Sequence, residues 1–288
     1  MPLAHFDGAL AVITGAGSGL GRAITLALAE RGATVVAADI DLPAAERTAE
    51  LARTLGSDGA AAFEVDVSDA AAMESFAAEV RESRRVPDIV VNNAGIAVAG
   101  PFLDTGVEDW ERIIGVNLWG VVHGSRLFGK QMVDRVRALP TKPDKPNFGG
   151  HIVNIASAAG FAPSRELPAY STTKAAVVML SACLRAELAG SRIGVTAVCP
   201  GFVGTSIVRN ATLVGVSGDE ARRLRERGDR ALQARRYPPE KVAERVVAAI
   251  VKNKPVVPVN LEGHLIHAMS RISPGSLRLL ARVPAPLR

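Results

Sequence analysis

The chain has 288 residues, 48% of them hydrophobic, and this suits one large α/β domain because strand and helix patterns alternate without a linker-like break. Its formal net charge of +5 comes mainly from basic residues after Arg209, which share helical segments with acids and are not interleaved with aromatic residues, so nucleic acid is excluded as a partner. Without a signal-peptide pattern or an apolar run of membrane-spanning length, we expect a cytoplasmic protein with no integral membrane segment.

A glycine-rich turn follows the first predicted strand. The apolar run at residues 9–14 indicates a buried parallel strand, and residues 15–21 (GAGSGLG) lead from it into a helix that continues through Arg31. Glycines here allow a tight turn and let backbone N–H groups at a helix N-terminus approach a pyrophosphate. A lone glycine-rich turn is also a common structural feature, so its position between strand and helix is what favours a dinucleotide site.

Two carboxylates follow the next two strands. The strand at residues 34–38 ends before Asp39, where a carboxylate can accept hydrogen bonds from an adenosine ribose, although a loop acid or a helix cap is the structural alternative. The strand at residues 61–65 leads into Asp66 and Val67, at the same edge of a parallel sheet. Position and spacing together favour the ribose role for Asp39.

Further strands and helices complete an alternating pattern. Four more strands are predicted at residues 88–92, 151–156, 193–198 and 256–259, the last at the sheet edge because it contains Pro258. Helices are predicted at residues 42–55, 68–84, 107–136, 169–188 and 241–251.

Polar residues are predicted at the carboxyl edge of this sheet. Asn93, Ala94 and Gly95 follow the fourth strand, and they either form a simple turn or border a ligand crevice. Asn117 lies inside a predicted helix, where it either points outward or marks a place at which the helical ladder opens to hold a water.

A serine, a tyrosine and a lysine are placed for proton transfer. The strand at residues 151–156 carries Ser157 to the sheet edge, and Pro168 fits the first turn of a helix with Tyr170 and Lys174 four apart on one face. An ammonium roughly 4 Å from the phenol would lower the tyrosine pKa by about three units, which predicts proton exchange near neutral pH. The alternative is an ordinary helix-surface pair.

Three segments depart from the regular pattern. Residues 134–150 are predicted as a long surface loop, residues 203–236 as a lid over a substrate pocket, and residues 263–288 as a basic, only partly helical extension of a domain at residues 1–262. Cys183 and Cys199 are predicted to be reduced core residues. No metal site is predicted, because neither the cysteines nor the pair His264 and His267 has a suitable cluster of ligands.

Together these motifs resemble the short-chain dehydrogenase/reductase family, in its branch of compact single-domain enzymes. The resemblance covers about residues 8–259 and rests on ordered motifs: TGAGSGLG at 14–21, NNAG at 92–95, Asn117, Ser157, YSTTK at 170–174, and Pro200-Gly201. It implies an α/β fold with a Rossmann-type, doubly wound, parallel seven-stranded sheet flanked by helices in a single domain. Ser18 stands where longer epimerase-like members have a glycine, which argues against a sugar-nucleotide epimerase.

The resemblance implies a role for each matching residue. Tyr170 is the general acid/base, Ser157 hydrogen-bonds the substrate oxygen, Lys174 lowers the tyrosine pKa and holds the nicotinamide ribose, and Asn117 positions a water. Besides Tyr170 and Lys174, the implied cofactor-binding residues are Gly15, Ser18, Gly19, Leu20, Gly21, Asp39, Asp66, Val67, Asn93, Ala94, Gly95, Pro200, Gly201, Val203 and Thr205.

The cofactor and substrate follow from these positions. NAD is the predicted cofactor, because Asp39 repels a 2′-phosphate, and Ser18 and Ile40 occupy the two positions where NADP-using members commonly place a cation. The predicted pocket suggests an apolar substrate, although an apolar lining is the default for small-molecule sites. It comprises Ser157, Phe161, Leu167, Phe202, Ile207 and Leu213.

The predicted protein is an NAD-dependent oxidoreductase that interconverts a secondary alcohol and a ketone by hydride transfer, as a homodimer or homotetramer. A 3-oxoacyl thioester reductase is the enzymatic alternative, for which arginines at 222, 223, 225 and 227 would meet an acidic carrier. The alternative from another class is a non-catalytic dinucleotide-binding sensor or scaffold, because fold alone does not prove activity.

Overall fold

The strands lie in the middle of the molecule, between helices on either side. The computed structural model describes residues 6–138, 149–204, 207–234 and 237–282. Within these ranges the strands are β1 (Leu10–Thr14), β2 (Thr34–Asp39), β3 (Ala61–Glu64), β4 (Ile89–Asn92), β5 (Val98–Ala99), β6 (Gly150–Ile155), β7 (Ile193–Pro200), β8 (Thr212–Leu213) and β9 (Val256–Val259).

Seven of these strands form one sheet in the order β3-β2-β1-β4-β6-β7-β9, with all neighbouring pairs parallel. The predicted seven-stranded parallel sheet is therefore confirmed, and β9 with Pro258 lies at its edge. The strand order reverses between β1 and β4. In an open parallel sheet a ligand crevice forms at such a reversal, at the carboxyl ends of the strands.

Helices cover both faces of the sheet. They are α1 (Gly19–Ala29), α2 (Leu42–Thr54), α3 (Ala70–Ser83), α4 (Val107–Ile114), α5 (Gly120–Arg137), α6 (Pro168–Glu187), α7 (Gly218–Ala234), α8 (Pro239–Val251), α9 (Asn260–Ile272) and α10 (Pro274–Leu280). On one face Ile13 packs with Ile24 of α1 and Val246 of α8. On the other face Val12 packs with Phe128 of α5. Both side-chain sets of each strand are thus buried, which explains the continuous apolar runs.

Local signals explain where several helices begin. Asp41 caps α2 by accepting a hydrogen bond from the Ala44 N–H at 3.0 Å. Asp69 caps α3 by accepting hydrogen bonds from the N–H groups of Ala71 and Ala72. Each cap satisfies a backbone donor that the first turn of a helix leaves free.

The structure differs from the sequence-based expectation in three places. β5 and β8 form a second, parallel pair that was not predicted. The tail is more helical than expected, because α9 begins at Asn260 and α10 follows it, so the predicted boundary at residue 262 falls inside a helix. Cys199 is buried as predicted, but Cys183 is exposed.

Some expectations fall outside the described residues. Residues 139–148 of the predicted long loop are not described, nor is Thr205. The loop's described ends are the end of α5 and the start of β6, both at the amino-terminal edge of the sheet. None of the helices in the described ranges is both long enough and apolar enough to cross a membrane.

A glycine allows α5 to lie directly against β4. A Cβ atom added at Gly124 would overlap Oδ1 of Asn92, whose Nδ2 donates to Asn154 Oδ1 at 2.8 Å and to Ser125 Oγ at 3.1 Å. We therefore expect Gly124→Ala to lower the free energy of unfolding by about 1–3 kcal/mol. Urea unfolding would measure this, with Gly190→Ala as the control, since a Cβ there meets nothing within 4 Å. Equal stability of the two variants would contradict the prediction.

His151, at the start of β6, makes stability depend on pH. Its Nε2 hydrogen-bonds Thr196 Oγ1 at 2.8 Å, and burial, with the charge of Arg185, lowers its pKa to about 3. A histidine in the unfolded chain has a pKa of about 6.5, so below that pH His151 is protonated in the unfolded chain but remains neutral in the folded one. Protonation therefore stabilises the unfolded state. The stability contribution is complete above pH 6.5 and is lost as the pH falls toward 3.

A non-titrating variant isolates this effect from other groups. Between pH 7 and pH 5 the wild type should lose about 2 kcal/mol more unfolding free energy than His151→Asn. Urea unfolding at the two pH values measures the difference. An identical pH dependence in both proteins would mean that His151 is not the responsible group.

Candidate active site

Tyr170 and Lys174 lie one turn apart on α6, as predicted, with Pro168 as the first residue of that helix. The ammonium of Lys174 is buried and donates to the main-chain oxygen of Ile155 at 2.9 Å, which ties α6 to the end of β6. Lys174 Nζ lies 5.7 Å from the centroid of the Tyr170 ring. The ammonium of Lys174 therefore lies near the Tyr170 ring but donates its hydrogen bond to the Ile155 carbonyl.

The pKa of Tyr170 is raised, contrary to the sequence-based expectation. Burial of the phenol raises this pKa, and a hydrogen bond with the Ser157 side chain acts in the opposite direction. Burial also lowers the pKa of Lys174 to about 8, although interaction with Cys199 raises it. Desolvation of the phenol outweighs the opposing effect of Ser157. The phenol is accordingly protonated at neutral pH.

Ser157 lies where β6 meets a short 3-10 helix, Ala158–Phe161. Its Oγ accepts a hydrogen bond from the Ala159 N–H at 3.1 Å and donates to the main-chain oxygen of Pro200 at 3.4 Å. These contacts fix a buried hydroxyl between the ends of β6 and β7 and beside Tyr170.

Asn117 lies in a π-helical turn, Gly115–Trp119, between α4 and α5. Its Oδ1 accepts from the Ile96 N–H at 2.8 Å, and its Nδ2 donates to the Ile96 oxygen at 3.0 Å and to Thr173 Oγ1 at 3.2 Å. The α-helical ladder does open at this residue, and the buried amide joins the turn to α6. Thr173 was not predicted, although it lies inside the YSTTK motif.

The glycine turn packs against the chain that follows β4. Gly15 has a φ of +65°, and a Cβ atom there would lie 2.8 Å from Ala94 Cα. A Cβ at Gly21 would overlap the Gly15 oxygen. Asn93 Nδ2 donates to the main-chain oxygens of Thr14 and Gly15 at 2.9 and 3.1 Å. Its side chain therefore holds the turn in place, and only glycine fits at the two crowded positions.

The start of α1 leaves room for an anion. Ser18 is the exposed residue before α1, and its side chain makes no capping hydrogen bond to the first-turn N–H groups. Leu20 and Gly19 are half-buried in that turn. Free N–H groups at a helix N-terminus, approached by glycines rather than side chains, fit the pyrophosphate of a dinucleotide.

Asp39 is held by two backbone donors at the end of β2. Its Oδ2 accepts from the Gly17 N–H at 2.8 Å, and its Oδ1 accepts from the Asp41 N–H at 3.1 Å. The carboxylate is thus oriented beside the glycine turn, where a ribose role was predicted. Arg22, which was not predicted, also lies here and donates to the Gly17 oxygen and to Thr48 Oγ1.

Other predicted cofactor residues lie along the same edge. Asp66 is exposed after β3, with Oδ1 accepting from the Ser68 N–H at 2.8 Å. Val67 is buried. Gly95 lies beside the active-site lysine, since a Cβ there would be 3.5 Å from Lys174 Nζ. Pro200 ends β7 and Gly201 follows it, while the Val203 side chain is buried in the core.

Of the predicted pocket residues, Ser157 is buried and the other five are half-buried or exposed. The Phe161 ring packs against His267 of α9, with ring centroids 4.7 Å apart. Leu167, Ile207 and Leu213 are half-buried and Phe202 is exposed, so all four keep solvent-accessible surface. Sequence reasoning assigned His267 to a separate extension, because no local pattern links residue 267 to residue 161.

No metal-binding cluster is present in the part of the chain that the structure describes: nowhere do three His, Cys, Asp or Glu side chains converge to hold an ion. The buried thiol of Cys199 has its pKa raised to about 12 by burial. It is therefore a protonated core residue.

Known proteins resemble this chain over most of its length. The chain is 44% identical over 285 residues to a protein of Mycobacterium tuberculosis named as a probable oxidoreductase, EphD, and the match covers 98% of this chain and 46% of EphD. The chain thus spans about half the length of that relative. It is also 36% identical over 203 residues to a meso-2,3-butanediol dehydrogenase of Serratia marcescens, covering 70% and 74% of the two chains.

A solved structure and a family model complete the comparison. A short-chain dehydrogenase/reductase from Burkholderia phymatum, in complex with NAD, superposes with a TM-score of 0.79 at 31% identity, over 99% of both chains. Residues 9–213 match the family model described as short chain dehydrogenase. Because that match covers most of the chain and the motif residues meet at one edge of a parallel sheet, the chain belongs to the short-chain dehydrogenase/reductase family.

Proposed function

We propose that the protein is an NAD-dependent oxidoreductase that interconverts a secondary alcohol and a ketone. The observation that carries this proposal is the convergence of three groups: the buried Ser157 hydroxyl lies close enough to Tyr170 to influence its pKa, and the buried ammonium of Lys174 lies one helical turn from Tyr170. The nicotinamide cofactor supplies the site that accepts or gives the hydride. The glycine turn, the uncapped start of α1 and Asp39 would hold its dinucleotide.

Side chains of the protein bind the substrate oxygen and transfer the proton to or from it. Ser157 gives up its long contact with the Pro200 oxygen and donates a hydrogen bond to the substrate oxygen. Tyr170 gives that oxygen a proton in reduction or removes one in oxidation. Because burial raises the pKa of Tyr170, the phenol carries its proton at neutral pH, which favours reduction. Oxidation needs the phenolate, so its rate should rise with pH.

Lys174 and Asn117 would support this proton transfer without contacting the substrate oxygen themselves. We assign Lys174 to the nicotinamide ribose, because its buried ammonium lies near Gly95 and Tyr170. The Asn117 side chain is already committed to Ile96 and Thr173. A relay water would therefore be held by a main-chain carbonyl that the π turn removes from the α-helical ladder, with Asn117 fixing that turn.

The proposal extends to the substrate, the assembly and the division of the chain. Half-buried apolar side chains at Phe161, Leu167 and Leu213 support an apolar substrate, and the butanediol dehydrogenase relative supports a secondary alcohol. We further propose a catalytic domain that starts at residue 1 and continues beyond residue 262, because α9 runs on to Ile272. We also propose a lid at residues 203–236, a homodimer or homotetramer, and a cytoplasmic location.

Two contacts disfavour the 3-oxoacyl thioester reductase. Arg222 pairs with Asp219 at 2.9 Å, and Arg225 Nε donates to the Ala211 oxygen at 2.9 Å. Because these two arginines already have partners within the chain, they are less available to bind an acidic acyl carrier. A simple alcohol or ketone needs no such cationic surface.

A substrate panel tests the proposal. Purified protein is incubated with NAD and linear, cyclic and polycyclic secondary alcohols, and NADH formation is followed by absorbance at several pH values. We expect turnover of at least one apolar alcohol, faster at higher pH. Turnover of 3-oxoacyl thioesters alone would favour the other enzyme, and cofactor binding without any turnover would favour a non-catalytic sensor.

A further inference from the structure

The C-terminal helices carry a row of exposed apolar side chains. On α9, Leu261, Leu265 and Ile272 are 72%, 53% and 84% exposed, and their spacing places them on one face of the helix. On α10, Leu279 and Leu280 are 62% and 58% exposed. Single exposed leucines are normal on a protein surface, but a row of them on adjacent helices marks a contact surface.

Positive charge lies toward the C-terminal end of this row, whereas the first turn of α9 carries one acid, Glu262. Residues 263–288 contain four arginines and no aspartate or glutamate. Arg271, Arg278 and Arg282 are exposed, and none of the three forms an ion pair with another residue in the described ranges. Helices that combine an apolar face with unpaired arginines bind at the interface of anionic lipid membranes.

We propose that α9 and α10 form a docking surface for an anionic lipid membrane. A second copy of the chain is the less favourable occupant, because a two-fold contact through this surface would bring two arginine-rich segments against each other. A membrane with anionic headgroups can contact both the apolar and the basic side chains of this surface. The leucines would insert at the boundary of the acyl region, and the arginines would pair with the lipid phosphates.

The docking surface contacts the segment that joins Ser157 to α6. His267 of α9 packs on Phe161, in the short helix that begins directly after Ser157. Arg165, in the following loop, donates to the main-chain oxygen of Arg282 at 3.1 Å. Docking would therefore hold the pocket at the lipid boundary, where apolar alcohols and ketones dissolve. This last step rests on the proposed function, whereas the docking itself does not.

Vesicle co-sedimentation tests the docking. We expect the full chain to sediment with vesicles of phosphatidylcholine and phosphatidylglycerol, to sediment far less with phosphatidylcholine alone, and to be released by high salt, which screens the arginines. The double variant Arg271→Gln/Arg278→Gln should lower partitioning at least tenfold, because each cation near an anionic surface contributes about fivefold. The triple variant Leu261→Ser/Leu265→Ser/Ile272→Ser should abolish it.

Matched variants control for general changes of the surface. Leu103→Ser/Val107→Ser/Met179→Ser removes exposed apolar side chains elsewhere, and Arg47→Gln/Arg81→Gln removes exposed cations elsewhere. Both should sediment like the wild type, as should Tyr170→Phe, which separates docking from catalysis. Thermal unfolding verifies that every variant is folded.

Three results would overturn the proposal. The wild type could fail to sediment with anionic vesicles, or it could bind neutral and anionic vesicles equally. Analytical ultracentrifugation could instead reveal a dimer that the triple variant dissociates, which would make this surface a contact between copies.

Discussion

Replacing Tyr170 with phenylalanine should reduce kcat by about three orders of magnitude, because it removes the group that transfers a proton to or from the substrate oxygen. The ring and its packing remain, so the Kd for the cofactor should stay within about threefold of the wild type. Steady-state kinetics and a titration of cofactor fluorescence measure the two quantities. If the variant kept more than about a tenth of wild-type kcat, the assigned acid/base would be wrong.

The pH profile distinguishes a catalytic role of Tyr170 from a structural one, because loss of a structural contact would not change the pH dependence of the rate. Wild-type oxidation should speed up as the pH rises toward the raised pKa of Tyr170, and the residual activity of the variant should lose that dependence. Ser157→Ala serves as the matched comparison. It removes a hydrogen bond but not the proton carrier, so its loss of kcat should be smaller and its pH dependence should persist.

NAD should be preferred over NADP by at least about a hundredfold in kcat/KM, because a 2′-phosphate placed near Asp39 would meet an unpaired carboxylate. The two backbone hydrogen bonds to Asp39 prevent the side chain from moving away easily. Steady-state kinetics with both cofactors measures the preference. Equal efficiency with the two cofactors would remove Asp39 from the ribose site.

Three variants separate charge from shape at Asp39. Asp39→Asn keeps an acceptor for the Gly17 N–H but removes the negative charge. It should therefore lower the ratio of kcat/KM with NAD to kcat/KM with NADP while leaving the glycine turn in place. Asp39→Ala/Ile40→Arg should lower this ratio further, because the new arginine can pair with the 2′-phosphate of NADP. Asp66→Ala, at another exposed carboxylate along the edge, should lower both efficiencies alike and leave their ratio unchanged. An unchanged ratio in Asp39→Asn would contradict the charge argument.

The sequence predicted the main sheet well because strands buried on both faces leave continuous apolar runs. The runs that became β1, β4 and β7 were found to within two residues at each end. β5 and β8 were missed because strands of two residues have no periodicity, and their pairing joins parts of the chain that are far apart in sequence. α9 was only partly recognised, since it begins at Asn260 in a left-handed conformation, with a φ of +61°.

The site was predicted in its positions but not in its electrostatics. Spacing alone places Tyr170 and Lys174 on one helical face, and the structure agrees. The predicted lowering of the Tyr170 pKa was wrong, because a sequence contains neither the burial of the phenol nor the Ile155 carbonyl that the ammonium faces. His267 was not linked to the site for the same reason: its contact with Phe161 exists only in three dimensions.

The small sheet of β5 and β8 makes local opening beside α6 measurable one amide at a time. The Thr212 N–H donates to the Ala97 oxygen at 3.0 Å, and the Val214 N–H donates to the Ala99 oxygen at 2.8 Å. The Gly100 N–H donates to the Glu166 oxygen at 2.9 Å, in the loop before α6. A movement that separates β8 from this loop must break either the two hydrogen bonds between β8 and the β5 segment or the hydrogen bond between Gly100 and Glu166. Deuterium uptake at the three amides therefore gives the free energy of opening of each link and indicates which of the two links opens first.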